Sequence, residues 1–351
     1  MMDRGIFMHQ YEMNTYYFAT VTNGLETVLG AEIEERGIAR RDMKYERGKV
    51  VFKALEETNR LKTLRCADNI YCIVAEFTVG AYKSDLAHMA SNMKKLNWNR
   101  LAVEFSKSSR DIRVSTSRRG KHTYSRFDMK ETIEDVLEKD GFVMSQDDHA
   151  LCVRADIEEA FCRVSIKLTE AHFRFRGDTR IYSRGSIRPT VAAALVRISK
   201  PCKDDVFYDP FCGAGTIPDE RAQLPARRIL ASDIEEEVVL KAKENGKGGT
   251  IVFRCDARKT PSQSESIDRI VSNLPWNKQI AVENVRKLYM EFLAEANRIL
   301  KPNGWIVLLT DCHEEITKAS EENGLCLSAL YELSLHGLHP KVYKLRKVNI
   351  Q

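Results

Sequence analysis

The chain has 351 residues, of which 43% are hydrophobic and 30% are charged, and its formal net charge is +5 at neutral pH. This composition excludes a disordered or fibrous protein, and the length favours two or three domains. No apolar run is long enough to cross a bilayer, and the first residues lack the apolar centre of a signal peptide. We therefore expect a cytoplasmic protein without membrane contact.

The cysteine pattern bears on the redox compartment and on metals. The chain has nine cysteines, with no CxxC pair among them. An odd, scattered set of cysteines is typical of reduced thiols rather than of disulfides or a zinc site. We expect no disulfide and no bound metal.

The first half of the chain has the pattern of small α+β units. Strands are predicted, from alternating apolar and polar residues, at 16–21, 48–54, 70–77 and 111–117, with a strand hairpin at 150–168. Apolar residues at helical spacing predict helices at 24–37, where Gly37 is the C-cap, and at 127–141.

Two segments combine basic and aromatic residues. The first basic segment, residues 106–130, carries eight Lys and Arg residues against two acids. The second basic segment, residues 172–188, carries five arginines against one acid. A single charge run is usually a solvated surface, but two such segments with interleaved aromatic rings favour a polyanion, because cations bind phosphates and unpaired bases stack on aromatic rings.

From about residue 204 the pattern changes to strands that alternate with helices. The segments that show this alternation are 205–216, 227–246, 250–257, 267–276 and 288–310. Strand and helix alternating at this spacing predict a mainly parallel sheet with helices on both faces. Ligands of such sheets bind at the carboxyl ends of the strands.

Three successive strand ends carry groups that suit a nucleoside. DPFCGAGT (209–216) places two glycines after a buried strand, without the third glycine of a dinucleotide site and without the GK[ST] of a P-loop. A compact tail therefore suits this loop better than a pyrophosphate. The next strand ends at Asp233, where a carboxylate accepts hydrogen bonds from ribose hydroxyls. The third strand ends at Asp256, which we expect to accept a hydrogen bond from an adenine amine.

The fourth strand ends in SNLPW (272–276), an amide and a carbonyl followed by a proline and an indole. The Asn273 amide oxygen and the Leu274 carbonyl can accept hydrogen bonds from an exocyclic amine and direct its lone pair at an electrophile. Pro275 stiffens the turn, and Trp276 can stack on a flat ring. The alternative is that Trp276 packs in the core.

The turn carries no cysteine nucleophile, so transfer to an amine is favoured over methylation at carbon 5 of a pyrimidine. The turn by itself does not separate guanine N2 from adenine N6, cytosine N4 or a protein glutamine.

DPFCGAGT, SDI, CDA and SNLPW, in this order, resemble the motifs of class I S-adenosylmethionine-dependent methyltransferases. With HFRFR and GSIRPTVAAALVRIS upstream, the chain resembles, over nearly its whole length, the THUMP-domain tRNA guanine-N2 methyltransferases of the TrmN type. It departs from the family pattern at Pro218 and Asp219, which follow the glycine loop, and at Leu274, Trp276 and Asn277 in the catalytic turn. The first departure predicts an irregular helix start.

The resemblance implies the fold class and the division of the chain. We expect an α/β protein with a C-terminal Rossmann-like class I methyltransferase domain and N-terminal α+β modules. The expected divisions are a ferredoxin-like module at 14–70, a THUMP RNA-binding domain at 71–175, a linker at 176–190 and the methyltransferase domain at 191–351.

The resemblance also implies the residues of each site. The catalytic turn is implied to consist of Asn273, Leu274, Pro275 and Trp276. The S-adenosylmethionine site is implied to consist of Thr190, beside the methionine tail, and Asp209, Phe211, Gly213, Ala214, Gly215, Thr216, Asp233, Ile234, Asp256, Ala257 and Asn273. The RNA contacts are implied to be Arg118, Arg119, Lys121, His122, Arg174 and Arg176, with His122 at a phosphate rather than in acid–base chemistry.

The implied activity is formation of N2-methylguanosine in tRNA, at position 6 of the acceptor stem, by a monomer that binds the acceptor stem and the 3′ end. Two alternatives stay open. One is the same transfer to another guanine, such as position 10 of tRNA or a guanine of rRNA or snRNA. The other is an RNA-binding protein of this fold that has lost catalysis.

Overall fold

A computed structural model describes residues 7–8, 16–39, 42–54, 58–106, 110–146, 150–177, 179–183, 185–246, 248–276, 284–335 and 337–348. Within these residues the strands form two sheets, one in each half of the chain. The helices of the described part include none that is long and apolar enough to span a membrane.

The first sheet is mostly antiparallel. Its strands are Phe7–Met8 (β1), Tyr16–Thr20 (β2), Lys44–Glu46 (β3), Lys49–Lys53 (β4), Asn69–Thr78 (β5), Asp111–Arg119 (β6), Val143–Met144 (β7), Leu151–Glu158 (β8) and Phe161–Lys167 (β9). They lie in the order β3-β4-β2-β5-β9-β8-β6-β7, and β1 pairs with β5. Strand β6 runs parallel to β7 and β8, and the other pairs are antiparallel. The predicted strands and the predicted hairpin, β8–β9, are confirmed.

The helices of this half are Glu26–Glu35 (α1), Thr58–Leu61 (α2), Leu86–Met93 (α3), Trp98–Ser106 (α4) and Arg126–Lys139 (α5). Helix α5 shows why the local sequence folds in this way. The Ser125 hydroxyl accepts hydrogen bonds from the backbone N–H groups of Phe127 and Asp128, and the Asp128 carboxylate accepts one from the Ser125 N–H. This capping box satisfies N–H groups that the first turn leaves without a helical partner. Gly37, just past α1, has φ +65°, as its predicted capping position requires.

The nine described strands of the first sheet span both predicted N-terminal modules without a break in pairing. The predicted boundary at residue 71 falls inside β5. The division into a ferredoxin-like module and a THUMP module stays a prediction.

The second sheet has a parallel core. Its strands are Val206–Asp209 (β10), Arg228–Asp233 (β11), Thr250–Arg254 (β12), Ile267–Asn273 (β13), Leu300–Thr310 (β14), Leu325–Glu332 (β15) and Lys341–Lys347 (β16). They lie in the order β12-β11-β10-β13-β14-β16-β15. The first five strands of this order are parallel, and β16 and β15 add antiparallel strands at one edge. The mainly parallel sheet is confirmed.

Helices cover both faces of the second sheet. They are Pro189–Ile198 (α6), Thr216–Arg221 (α7), Glu236–Asn245 (α8), Val285–Ile299 (α9) and His313–Glu322 (α10). Alternate residues of a strand point to opposite faces, and neighbours on β13 accordingly enter different clusters. Val271 packs in the cluster that contains α6, whereas Ile270 packs in the cluster that contains α9 and α10.

The cluster around α6 also contains core residues of the first half, so the two halves share one hydrophobic core. Helix α6 packs against α1 of the first half and against α7 of the second half. In the second sheet the chain passes from β10 outward to β12 and then returns to β13 on the other side of β10. The strand order therefore reverses beside β10, and such a reversal opens a crevice at the carboxyl ends of the strands.

Candidate active site

A cavity of about 1130 Å³ lies at the carboxyl ends of β10, β11, β12 and β13. Ligand pockets commonly enclose roughly 300–1,000 Å³, so this cavity has room for a nucleoside cofactor and a second flat group. The predicted site residues on its wall are Asp209, Phe211, Thr216, Asp233, Ile234, Asp256, Ala257, Asn273 and Pro275. The strand-end motifs are thus brought together as the sequence predicts.

The glycine loop connects β10 to α7. Gly213 and Gly215 have φ +50° and +82°, a region that favours glycine. A Cβ on Gly215 would lie 3.3 Å from the Cβ of Ala242, so Gly215 lets the loop approach α8. Neither glycine nor Ala214 is among the cavity-lining residues. The loop contributes instead through its backbone, since the Gly213 N–H donates to the Asp233 carboxylate at 3.0 Å.

Asp233 is held on the cavity wall by the backbone. Its carboxylate accepts hydrogen bonds from the N–H groups of Gly213 at 3.0 Å and Glu235 at 3.2 Å. Burial raises the pKa of Asp233 above its usual value. A partly buried carboxylate that backbone N–H groups hold on the cavity wall suits the hydroxyl groups of a ribose.

The hydrogen-bond partners of Asp256 differ from the expectation, although the residue lines the cavity. Its carboxylate oxygens accept hydrogen bonds from the Arg258 guanidinium at 2.7–3.1 Å. These hydrogen bonds lower the pKa of Asp256. Asp256 lines the cavity, but both of its oxygens already have a partner, so an adenine amine would compete with Arg258.

Asp209 ends β10 and is buried. Its Oδ1 accepts hydrogen bonds from the Ser272 hydroxyl at 2.6 Å and from the Phe211 N–H at 3.2 Å. Its Oδ2 is buried and has no hydrogen-bond partner among the described residues. Burial raises the pKa of Asp209 to about 7.

The Asn273 side chain offers an unpaired acceptor at the end of β13. Its Nδ2 donates to the Gly185 carbonyl at 3.2 Å, which fixes the orientation of the amide. Its Oδ1 is buried and has no hydrogen-bond partner within the described part of the chain. The turn behind it is also fixed, because the Leu274 N–H donates to Leu309 and the Tyr289 hydroxyl donates to the Pro275 carbonyl.

Trp276 does not line the cavity. Its side chain is 1% exposed and packs in the hydrophobic cluster around α6. The expectation that it presents a stacking face is therefore corrected, because the ring would have to leave the core to reach a base. The Leu274 side chain is also 1% exposed, and it packs in the cluster that contains α9 and α10. Asn277, the other departure in this turn, lies outside the described residues.

Thr190 also lies away from the cavity. Its hydroxyl donates to the Asp68 carboxylate at 2.6 Å, and the residue is 1% exposed. Arg188 donates to the same carboxylate at 3.0 Å. Thr190 thus joins the two halves of the chain, and its expected place beside a methionine tail is corrected.

The irregular start predicted for the helix after the glycine loop is not observed, because α7 is an α-helix from Thr216 onward. This helix has six residues and begins after Gly215, so Pro218 lies in its first turn, where a missing N–H costs little. Asp219 accepts a hydrogen bond from Arg180, which also donates to the Ala214 carbonyl at 3.0 Å. The unusual residues thus anchor the linker to the loop.

Sequence reasoning missed the part of the wall that comes from the linker. Its cavity-lining residues are Tyr182, Ser183, Gly185, Ser186 and Ile187. Asn245, at the end of α8, holds this linker by accepting from the Ile181 N–H at 2.9 Å and donating to the Ile181 carbonyl at 2.7 Å. The density of arginines in this segment indicated RNA and hid its contribution to the cavity.

Known proteins resemble this arrangement. A protein-family profile described as an RMKL-like methyltransferase domain matches residues 176–341. A tRNA (guanine(6)-N2)-methyltransferase of Thermus thermophilus is 30% identical over 247 residues, which are 68% of this chain and 72% of that protein. The chain belongs to the THUMP-type tRNA guanine-N2 methyltransferase family.

More distant members of this family match almost the whole chain. A tRNA (guanine(6)-N2)-methyltransferase of Methanocaldococcus jannaschii is 22% identical over 94% of this chain and 99% of that protein. The crystal structure of TrmN from Thermus thermophilus matches with a TM-score of 0.83 and 25% identity, over 95% of this chain and all of that chain. The predicted family and fold class are confirmed.

S-adenosylmethionine is the methyl donor of this methyltransferase family, and the cavity fits it. Asp233 offers a backbone-held carboxylate for the ribose, and Asp209 offers a buried oxygen without a partner near the loop. Phe211 and Ala257 supply apolar wall, and Ile234 lies beside Asp233 with 53% of its surface exposed. The described residues contain no cluster of side chains that could hold a metal ion.

The residues expected to contact RNA fall into two groups. Arg118, Arg119, Lys121 and His122 lie at the exposed end of β6 and in the loop after it. His122 accepts from Arg118 at Nδ1 and donates from Nε2 to the Glu159 carbonyl, since a guanidinium can only donate and a carbonyl can only accept. Arg119 pairs with Glu158 at 2.9 Å on the surface.

The second group is Arg174 and Arg176. The Arg174 guanidinium lies 4.7 Å from the centre of the Phe175 ring. Arg176 donates to Glu220 at 3.1 Å and to the Arg65 carbonyl, and 17% of its side chain is exposed. The expectation that Arg176 contacts RNA is corrected, because these bonds engage its guanidinium between the two halves of the chain.

Proposed function

We infer that this protein is an S-adenosylmethionine-dependent tRNA methyltransferase that forms N2-methylguanosine. The observation that carries this inference is the Asn273 Oδ1, a buried acceptor without a partner among the described residues, at the end of a strand that opens into the cavity. An acceptor in this place meets the N–H of an exocyclic amine. Membership of the family supports guanine N2 as that amine.

We propose position 6 of the acceptor stem as the target. The names of the Thermus and Methanocaldococcus relatives, which specify guanine 6, support this choice. The enzyme acts as a monomer in the cytoplasm, binds the acceptor stem and the 3′ end, and uses no metal. The exposed loop after β6, with Arg118 and Lys121, supplies the contacts to phosphates.

Different residues of the cavity bind different parts of the cofactor. Asp233 binds the ribose, Asp256 and Ala257 lie at the adenine, and Asp209 lies near the charged tail. When bound, S-adenosylmethionine supplies the methyl group, so that the N2–carbon bond forms as the sulfur–carbon bond breaks, the electron pair stays on sulfur and one amine proton is released.

The catalytic turn acts by positioning. The Asn273 oxygen accepts one amine N–H and the Leu274 carbonyl accepts the other, which draws the nitrogen lone pair out of conjugation with the ring. Gly185, Leu309 and Tyr289 fix this turn before substrate arrives. Because the acceptors are already oriented, most of the rate acceleration comes from alignment and electrostatics, and no strong base is needed. The proton leaves to solvent.

The decisive test removes a single amino group from the RNA. Purified protein and labelled S-adenosylmethionine are incubated with tRNA transcripts that carry guanosine or inosine at position 6. Inosine keeps the ring, the 6-oxo group and the N1–H but lacks the 2-amine and its one hydrogen bond to cytosine. We expect labelling of the guanosine transcript and background labelling of the inosine transcript, whereas inosine at position 10 leaves labelling intact.

Other outcomes identify the alternatives. If labelling were unchanged with inosine at position 6 and lost with inosine at position 10, the target would be position 10. Tight tRNA binding without any labelling would identify an RNA-binding protein that has lost catalysis. Isothermal titration of S-adenosylmethionine provides the cofactor control, in which Asp233→Ala weakens binding and wild-type affinity in this variant would remove the ribose assignment.

A further inference from the structure

A methyltransferase that flips a base from a helix has to hold a flat ring, and aromatic stacking is a common means. Trp276, the aromatic residue of the catalytic turn, is buried in the core. Among the described residues that line the cavity, the aromatic ones are Tyr182 and Phe211. One of these two rings is therefore the available platform.

Phe211 is the weaker choice. It follows β10 in the loop that holds the cofactor, and its ring makes an edge contact with Phe292 at 5.0 Å. Its contacts place it in the hydrophobic cluster of α9. Tyr182, by contrast, belongs to the linker and is 40% exposed.

The position of Tyr182 is fixed on both sides along the chain. The preceding residue, Ile181, exchanges two hydrogen bonds with Asn245. The following residue, Ser183, donates its N–H to the Ser186 hydroxyl at 3.0 Å. The Tyr182 hydroxyl donates to the Phe175 carbonyl at 3.2 Å, which restrains the ring. A platform held in this way loses little conformational freedom when a base stacks on it.

The Tyr182 ring has two close neighbours, and 40% of the residue's surface stays exposed beside them. The Phe175 ring meets it edge to face at 6.3 Å between centroids, and the Arg180 guanidinium lies 6.0 Å from its centroid. The same linker reaches the catalytic turn three residues later, where the Gly185 carbonyl accepts from the Asn273 amide at 3.2 Å. The ring and the amide thus line one cavity and are joined by a short, bonded stretch of chain.

We propose that Tyr182 is the platform on which the flipped target guanine stacks, while Asn273 binds the amine of that base. This inference rests on the proposed function and replaces Trp276 in the stacking role. Substrate recognition then comes from the linker between the two halves of the chain, which is also anchored to the glycine loop by Arg180.

The test compares Tyr182→Phe, which keeps the ring, with Tyr182→Leu, which keeps an apolar side chain of moderate size without an aromatic face. We expect Tyr182→Leu to lower kcat/KM for tRNA roughly 10- to 100-fold, in the range that alanine substitution of a stacking side chain gives. Tyr182→Phe should stay within about threefold of wild type, since only the hydroxyl contact is lost. Unchanged S-adenosylmethionine affinity by isothermal titration shows that each variant is folded.

A spectroscopic measurement separates stacking from a structural role. A tRNA with 2-aminopurine at the target position is bound to each variant, and its fluorescence is recorded, because stacking quenches this base. We expect a severalfold higher emission with Tyr182→Leu than with wild type or Tyr182→Phe. Tyr45→Leu, the same change at an exposed tyrosine of β3 outside the cavity, should leave the emission and kcat/KM close to wild type.

Full kcat/KM and unchanged emission for Tyr182→Leu would overturn the inference while wild-type methyl transfer still supports the proposed function. An equal loss of kcat/KM with Tyr45→Leu at normal cofactor affinity would also overturn the inference, since the effect would not be specific to the cavity. Absence of methyl transfer by the wild-type protein would overturn the proposed function and this inference together.

Discussion

The two basic segments have similar compositions but different structural roles. In the first, residues 106–130, the described arginines around β6 lie at the surface, and the Phe127 ring beside them is 66% exposed. In the second, residues 172–188, Arg176, Arg180 and Arg188 pair with carboxylates of other elements. Among the described residues, these three arginines of the second segment are engaged within the protein, whereas Arg119, Lys121 and Arg126 of the first segment are exposed. Charge counts identify basic segments, but the partners of each charge decide what the segment does.

The second segment has a structural role, and its contact with Asn273, the amine acceptor of the proposed function, gives the largest expected effect. Asn273→Ala removes the acceptor of the target amine and the contact to Gly185. We expect a roughly hundred- to thousandfold loss of methyl transfer, comparable with removal of an oriented hydrogen-bonding group from an active site. Affinity for tRNA should change less than twofold, as measured by filter binding.

Asn273→Asp serves as the control for shape, since it keeps the size of the side chain. If Asn273→Ala lost tRNA affinity together with methyl transfer, the proposed separation of RNA binding in the first segment from catalysis near the second would be contradicted.

The next effect concerns stability. Glu220 is 4% exposed and accepts hydrogen bonds from Arg65 at 2.6 and 2.9 Å and from Arg176 at 3.1 Å. Glu220→Gln leaves two guanidinium groups without their anion, which should lower the free energy of unfolding by about 3 kcal/mol, as for a broken buried ion pair. The matched variant Glu158→Gln breaks the exposed pair with Arg119 and should cost less than about 1 kcal/mol.

Both variants are compared with wild type by urea unfolding. Equal losses of stability in Glu220→Gln and Glu158→Gln would show that the ion pair of Arg176 stabilises the fold no more than the exposed pair of Arg119.

The first segment predicts an effect on RNA affinity alone. Arg118→Glu with Arg119→Glu should weaken tRNA binding about a hundredfold and lower the slope of log affinity against log salt by about 2, because each lost phosphate contact retains one counterion. Cofactor affinity should not change. Lys318→Glu with Lys203→Glu makes the same change in net charge at two other exposed lysines and is the control. An equal loss with this control would contradict a localised RNA surface.

Inside the cavity, Asp256 is paired with a cation and Asp209 is not paired with one among the described residues. This difference gives the smallest expected effect, which is on the pH dependence of stability. Arg258 lowers the pKa of Asp256, whereas burial raises the pKa of Asp209 to about 7. Between the unfolded pKa near 4 and this value the folded state binds more protons than the unfolded state, so stability falls as pH rises. The Asp209 contribution should be a loss of about 2 kcal/mol between pH 5 and 6.5.

Asp209→Asn should remove this part of the pH dependence, as measured by urea unfolding at each pH. The difference between wild type and the variant isolates Asp209 from Asp233, whose pKa is also raised. A slope identical in both proteins would show that Asp209 stays ionised.

The sequence could predict the cavity because all of its motifs end parallel strands, and parallel strands end at one edge of a sheet. Asp233 and Asn273 are found in this way without any knowledge of distant contacts. The role of Arg176 could not be predicted, since its partner Glu220 is 44 residues away and on another element. The choice between a stacking and a core role for Trp276 could not be made either, because the chain order does not show which residues pack against the end of β13. The same reason hid Tyr182 among the arginines of the linker.

The central claim is that this chain methylates guanine N2 in tRNA. Nucleoside mass spectrometry of tRNA from cells with and without the protein, followed by mapping of any lost modification, tests it most directly. We expect loss of N2-methylguanosine at position 6 of the acceptor stem and its return with wild-type protein but not with Asn273→Ala. Loss of N6-methyladenosine instead, or loss of a modification in ribosomal RNA alone, would contradict it.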